Sequence, residues 1–223
     1  MGERTHGASA RWLVAAALLV TVVLQVAYMA LLGGPKPADP TAGLTNADVL
    51  RYFADHGTGV TLVWTTESVA FVAIMLGGVV ALVREPSRGW LWACLAAAGL
   101  FNLVQIGFGL AMFQPAALAG GGENGLFFTF VSGAFFFYFL AKLLAGLGAM
   151  ALGWELARNP QAARRIGGWL ALVAGLVSAI ANLLAMAQGN AMLMAAGASG
   201  TACALVLALA LLTAGDRPGP AFR

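Results

Sequence analysis

The sequence predicts an all-α polytopic membrane protein: a single domain over residues 1–223, built as a bundle of six transmembrane helices. Three observations lead there. Of 223 residues, 61% are hydrophobic and only 9% charged, with a mean hydropathy of +0.85, whereas a soluble domain of this length carries about a quarter charged residues. Six apolar runs are each long enough to cross a hydrocarbon core, which takes about 20 residues at 1.5 Å rise. Finally, the basic residues collect at alternate ends of those runs.

The runs fall at about 12–32, 60–83, 90–113, 126–154, 169–187 and 191–213. The first follows Arg4 and Arg11 but is too long for a signal peptide, and Met29-Ala30-Leu31-Leu32-Gly33 offers no cleavage site, so a retained helix is expected. Between the first two runs lies the long loop 34–58. Its opening, Gly34-Pro35-Lys36-Pro37-Ala38-Asp39-Pro40, cannot be helical, because three prolines remove donors and fix φ. The next stretch can be. Thr45 is an N-cap with Asp48 three residues on, Val49, Leu50 and Phe53 share one face, and Gly57 stands where a helix would stop. A short amphipathic helix on the outer surface is expected.

The third and fourth runs are joined by 114–125, where Gly120-Gly121-Gly122 reads as a flexible linker. Gln188-Gly189-Asn190 is nearly all that joins the fifth to the sixth, which makes those two antiparallel neighbours.

Orientation follows the basic residues, which are retained on the cytoplasmic side. One set of ends carries Arg4, Arg11, Arg84, Arg88, Arg158, Arg164, Arg165, Arg217 and Arg223; the other carries only Lys36 and Arg51. Both termini are therefore expected in the cytoplasm, which needs an even number of spans. The formal net charge of +3 is then a matter of topology and gives a nucleic-acid role no support. Cys94 and Cys203 lie in apolar runs and read as small buried hydrophobes, without a disulfide framework.

Of 21 charged side chains, two fall inside spans: Glu67 in the second and Lys142 in the fourth. Such residues are costly in a bilayer and are candidates for function. By helical rise, Gln25, Asn102, Gln105, Ser178, Asn182, Ser199 and Thr201 all come to roughly 8–16 Å below the outer surface, with Ser132 just above that layer and Tyr138 at its lower edge. Lipid offers these groups no hydrogen bonds, so they should face one another or a wet cavity. Two readings follow: an outward-opening pocket with Glu67 as its acid, a candidate proton carrier, and Lys142 as its floor; or polar glue between helices, with Glu67 and Lys142 a structural pair.

Eight aromatic residues crowd the fourth span, from Phe127 to Phe139. They suit a flat apolar ligand or simple gap filling. Met29, Met112, Met186, Met192 and Met194 near the outer ends, with His56, are soft donors, yet no Met-x-x-Met repeat or histidine pair points to copper. Neither histidine lies in a span, so a bis-histidine haem site cannot be built, and no cofactor is expected. Small residues recur every four positions at Ala141-Ala145-Ala149-Gly153 and Gly167-Ala171-Gly175-Ala179, a spacing that lets helices approach closely. The partner across these faces is either within the chain or in a homo- or hetero-oligomer.

The layout resembles an uncharacterised bacterial family of six-helix integral membrane proteins, catalogued as a domain of unknown function. The resemblance rests on the first span with its long loop and short helix, on Leu95-Ala96-Ala97-Ala98-Gly99-Leu100-Phe101-Asn102-Leu103-Val104-Gln105, on Ala145-Gly146-Leu147-Gly148-Ala149-Met150-Ala151-Leu152-Gly153, and on Arg164-Arg165-Ile166-Gly167-Gly168-Trp169-Leu170. It implies a multi-pass protein of the inner (plasma) membrane and no assigned activity. Members commonly carry an arginine near the position of Asn102, where this chain departs.

Two functions are left. One is a carrier or binding protein for a small apolar or amphipathic solute, using Glu67, Lys142, Gln25, Asn102, Gln105, Tyr138, Ser178 and Asn182. The other is a non-catalytic membrane subunit or scaffold packing against a partner protein. An enzyme comes third, because the spans hold no histidine cluster or nucleophile–base pair.

Overall fold

A computed structural model describes residues 3–39, 41, 43–120 and 125–214; Pro40, Gly121, Gly122, Arg217 and Arg223 lie outside them. Six long helices make up the described chain: α1 (Glu3–Ala27), α2 (Asn46–Arg84), α3 (Gly89–Leu118), α4 (Leu126–Ala157), α5 (Ala162–Gln188) and α6 (Leu193–Thr213). Each packs on its neighbours in sequence, α6 closes onto α1, and α4 also touches α6. The result is an antiparallel ring. One end carries residues 33–45 and is called the long-loop end; the other carries the 84–89 and 158–161 connections and is called the arginine-rich end.

All six helices are long and apolar enough to span a membrane, yet only 28–44% of each span's most apolar window is buried within the chain. A helix that is apolar all round while mostly uncovered has found its solvent in lipid. The exposed Val69, Leu76 and Val83 of α2 and Leu170, Val173 and Ile180 of α5 are the bilayer-facing surface. The chain is a multi-pass membrane protein.

Between helices, lipid supplies no hydrophobic drive, so association rests on close packing. The α4–α5 seam shows how close. A Cβ on Gly146 would lie 2.7 Å from the Gly175 carbonyl oxygen, one on Gly153 would lie 2.5 Å from the Leu172 nitrogen, and one on Gly168 would lie 2.3 Å from the Ala157 nitrogen. The α5 stripe thus meets α4 inside the chain at Gly175 and Ala179, with Gly168 in place of Gly167, which faces open space; on α4 these contacts come from Gly146, Met150, Gly153 and Ala157, so of the expected line Gly153 is the member that the glycine contacts place at the seam.

Several boundaries differ from expectation, α1 among them, which begins at Glu3, nine residues before the expected run. Thr45 is an N-cap as expected, but of the spanning helix α2 and not of a separate short surface helix: its side chain accepts from the Asp48 N–H, and the Asp48 carboxylate accepts from the Thr45 N–H. The helix does not stop at Gly57, however, but continues to Arg84. The cause is tertiary. Val49 is fully buried against Ala116, Ala117 and Phe127, so the first turns are held as an extension of the spanning rod, and a helical glycine costs only about 1 kcal/mol. Likewise α3 runs through Pro115 to Leu118, because Ala116 and Ala117 pack in that same cluster. At the other end α5 starts at Ala162, so its link to α4 is four residues long.

The continuity of α2 is directly testable. Nothing lies within 4 Å of a Cβ placed on Gly57, so Gly57→Ala should stabilise the protein by about 0.5–1 kcal/mol. Thermal unfolding in detergent would check this, and a lowered midpoint would mean that the helix is broken there.

Candidate functional site

Polar side chains from α1, α2, α4 and α6 converge inside the ring. Lys142 is 4% exposed and Glu67 7%. The Lys142 Nζ donates to Gln25 Oε1 at 3.0 Å, and Thr201 Oγ1 donates to the same oxygen at 2.8 Å. The Glu67 carboxyl faces Gln25 and Lys142, as well as the phenols of Tyr28 and Tyr138. Gln25 is therefore the hinge of the cluster, standing between the acid and the base. The Lys142 ammonium also lies 5.3 Å from the centre of the Tyr138 ring, within cation–π range. Among the described residues, no donor reaches the buried Glu67 Oε1.

A lysine gets this deep because α6 makes room for it. At Gly200 a Cβ would fall 2.7 Å from Lys142 Cδ and 2.9 Å from its Cγ, and at Gly197 it would touch the Tyr138 hydroxyl at 3.4 Å. The two glycines form a groove that admits the lysine stem at Gly200 and the Tyr138 phenol at Gly197. Helical turns continue α1 from Tyr28 to Leu32; by helical rise Gln25 sits about 10 Å in from Leu32, and Thr201 about 12 Å in from the long-loop end of α6.

The rest of the expected layer divides. Ser178 Oγ donates to the Lys142 carbonyl at 3.3 Å, and Asn182 Nδ2 donates to the Ser178 and Ala196 carbonyls at 2.8 and 3.3 Å. These bonds tie α5 to α4 and α6, and in that respect Ser178 and Asn182 are interhelical glue. Asn102 Nδ2 donates to the Ala98 carbonyl of its own helix at 3.0 Å, and Ser199 Oγ to Ala196 at 3.1 Å. No hydrogen bond among the described residues joins Asn102 or the half-buried Gln105 to the Glu67 cluster, and Ser132 is exposed. The α4 aromatics make ring contacts, Phe137 against Phe101 and Phe108 of α3, and Phe135 against Phe139 one turn on. Met29, Met112 and Met194 are exposed. Among the described residues, no group of three or more histidine, cysteine or acidic side chains could hold a metal.

Sequence reasoning missed three features. The Gly197–Gly200 groove is signalled only by two glycines three apart on one face. Cys203, read as a plain hydrophobe, has its thiol beside Ser178 and Lys142. Arg88, counted only as a topology marker, is 6% exposed. It forks onto Glu155, with Nε and a terminal nitrogen at 2.7–3.2 Å, and reaches Glu85 Oε2 at 3.2 Å. This clamp fastens the α2–α3 turn to the end of α4.

Two surface recesses flank the cluster without including it. At the long-loop end, about 200 Å³ is lined by residues among them Lys36, Asp48, Arg51 and His56. At the arginine-rich end, about 330 Å³ lies beside the clamp, between Trp90 and Trp154. No family model, curated protein or solved structure matches the chain.

Proposed function

We propose that the chain binds or carries a small amphipathic solute at the Glu67–Gln25–Lys142 cluster of an inner-membrane bundle. The arginine-rich end would be cytoplasmic by the distribution of basic residues, and the cluster would then lie in the outer half. The observation that supports this reading is a buried carboxylate with one oxygen lacking a donor, next to a buried ammonium that hydrogen-bonds Gln25. A structural ion pair would close on itself to offset its desolvation. An open acceptor instead offers a place for a solute donor or a proton. Membership of the six-helix family that the sequence resembles is part of the same proposal and adds no activity.

Glu67→Gln tests it. In proteoliposomes carrying an internal pH dye, a panel of small amines and amphipathic solutes should elicit proton movement with the unmodified protein and none with the variant. A folded variant with every solute response intact would sink the pocket. The scaffold alternative would use the outward face of α5, through Leu170, Val173, Val177 and Ile180, all exposed, since the α4–α5 stripe is buried within the chain. A stable partner co-purified from the native membrane would favour it.

A further inference from the structure

The recess at the arginine-rich end combines features that the solute site does not use. Its lining divides into a polar mouth, with Ser87, Arg88 and Arg158, and an apolar floor between Trp90 and Trp154. Trp90 and Trp154 are 66% and 54% exposed in the first turn of α3 and the last turn of α4, the level at which tryptophan marks the membrane–water interface. Between them, Leu91, Ala151 and Leu152 line an apolar floor whose leucines belong to the buried core, and the two exposed indoles form its apolar rim.

The charges at the mouth are unequal. Glu155 and Glu85 both engage Arg88. Arg158 instead lies flat on Trp154, its guanidinium carbon 4.1 Å from the ring centre, and no described carboxylate pairs with it. Within the two connections at this end and the turn beyond, Arg84, Arg88, Arg158, Arg164 and Arg165 stand against Glu85 and Glu155, five positive charges to two negative. A planar guanidinium held by stacking keeps its donors for a phosphate, which it can meet with two parallel bonds.

We propose that this recess binds one anionic glycerophospholipid, its phosphate on Arg158 with Ser87 at the same mouth, and its first acyl carbons between the exposed rings of Trp90 and Trp154. The shared chemistry is a phosphate group, which a free anion could also supply. The two exposed indoles at the interface level, which would flank an acyl chain but offer a free anion nothing, argue for the lipid.

The test is native mass spectrometry of the detergent-purified, delipidated protein titrated with phosphatidylglycerol, phosphatidylcholine or inorganic phosphate. Retention of one phosphatidylglycerol, with a preference over phosphatidylcholine that drops about fivefold in Arg158→Gln, is expected. Arg165→Gln, outside the recess, should leave that preference unchanged. Equal retention of the two lipids by the unmodified protein would overturn the proposal, as would an undiminished preference in Arg158→Gln. Thermal stabilisation by inorganic phosphate equal to that by phosphatidylglycerol would overturn the lipid assignment. Both variants lie on exposed side chains, and unchanged unfolding midpoints would verify their folds.

Discussion

Replacing Gly168 with alanine should break the α4–α5 seam, whereas the same change at Gly167 should pass almost unnoticed. The two glycines are adjacent, both helical, and differ only in what a methyl group would meet. At Gly168 it would fall 2.3 Å from the Ala157 nitrogen and 2.6 Å from the Leu156 carbonyl carbon; at Gly167 nothing lies within 4 Å. The obstruction at Gly168 is backbone, which no rotamer change relieves. Gly153 and Gly175 make equally close approaches along the same line, so the helices cannot separate at one level without losing packing at the others. Overpacking here should cost about 3 kcal/mol or more, while Gly167→Ala should be neutral or stabilise by under about 1 kcal/mol. Thermal unfolding of the two variants in one detergent decides the matter. Equal midpoints would mean that α4 and α5 do not meet as described.

The second large effect is expected at Arg88. Its side chain is 4% exposed and those of Glu155 and Glu85 19% and 15%. Arg88→Ala would leave two carboxylates facing each other at the edge of an apolar bundle. Removing one partner of a buried pair costs about 3–5 kcal/mol, and the lower figure applies because both acids keep some contact with water. Arg88→Lys should recover only part of the loss, since a point charge cannot reproduce the two-bond fork on Glu155. Unfolding midpoints in detergent check both variants. A neutral Arg88→Ala would show that the clamp adds nothing to the fold.

Much of this was legible in the sequence for simple reasons. Length and hydropathy gave the spans, and Thr45 with Asp48 gave the start of α2, because a capping box is a local device that needs no partner elsewhere. The polar layer was legible too, since depth follows from residue count alone. What residue count cannot give is azimuth. Gln25, Thr201, Asn102 and Gln105 share a depth, but only the first two point at Lys142. In helices apolar nearly all round, the pattern that would say which face turns inward is flattened. The continuation of α2 past Gly57 and of α3 past Pro115 was hidden for another reason. It rests on Val49 meeting Ala116, Ala117 and Phe127, three residues from two other helices. Arg88 was hidden by its own ambiguity, for an arginine at a span end serves topology whether or not it also clasps a carboxylate.

The unbroken course of α2 has a mechanical consequence. Its 39 residues make a rod of about 58 Å, nearly twice the hydrocarbon thickness. Glu67 sits 19 residues from Asp48, near the middle of that shaft, while the tip carries Asp48, Tyr52 and His56 in the long-loop recess. Within this stretch the helix is continuous, Gly57 and Gly59 included. Any load applied at the tip, by a solute settling there or by a partner leaning on it, therefore arrives at the carboxylate about 28 Å away as a tilt of the whole lever.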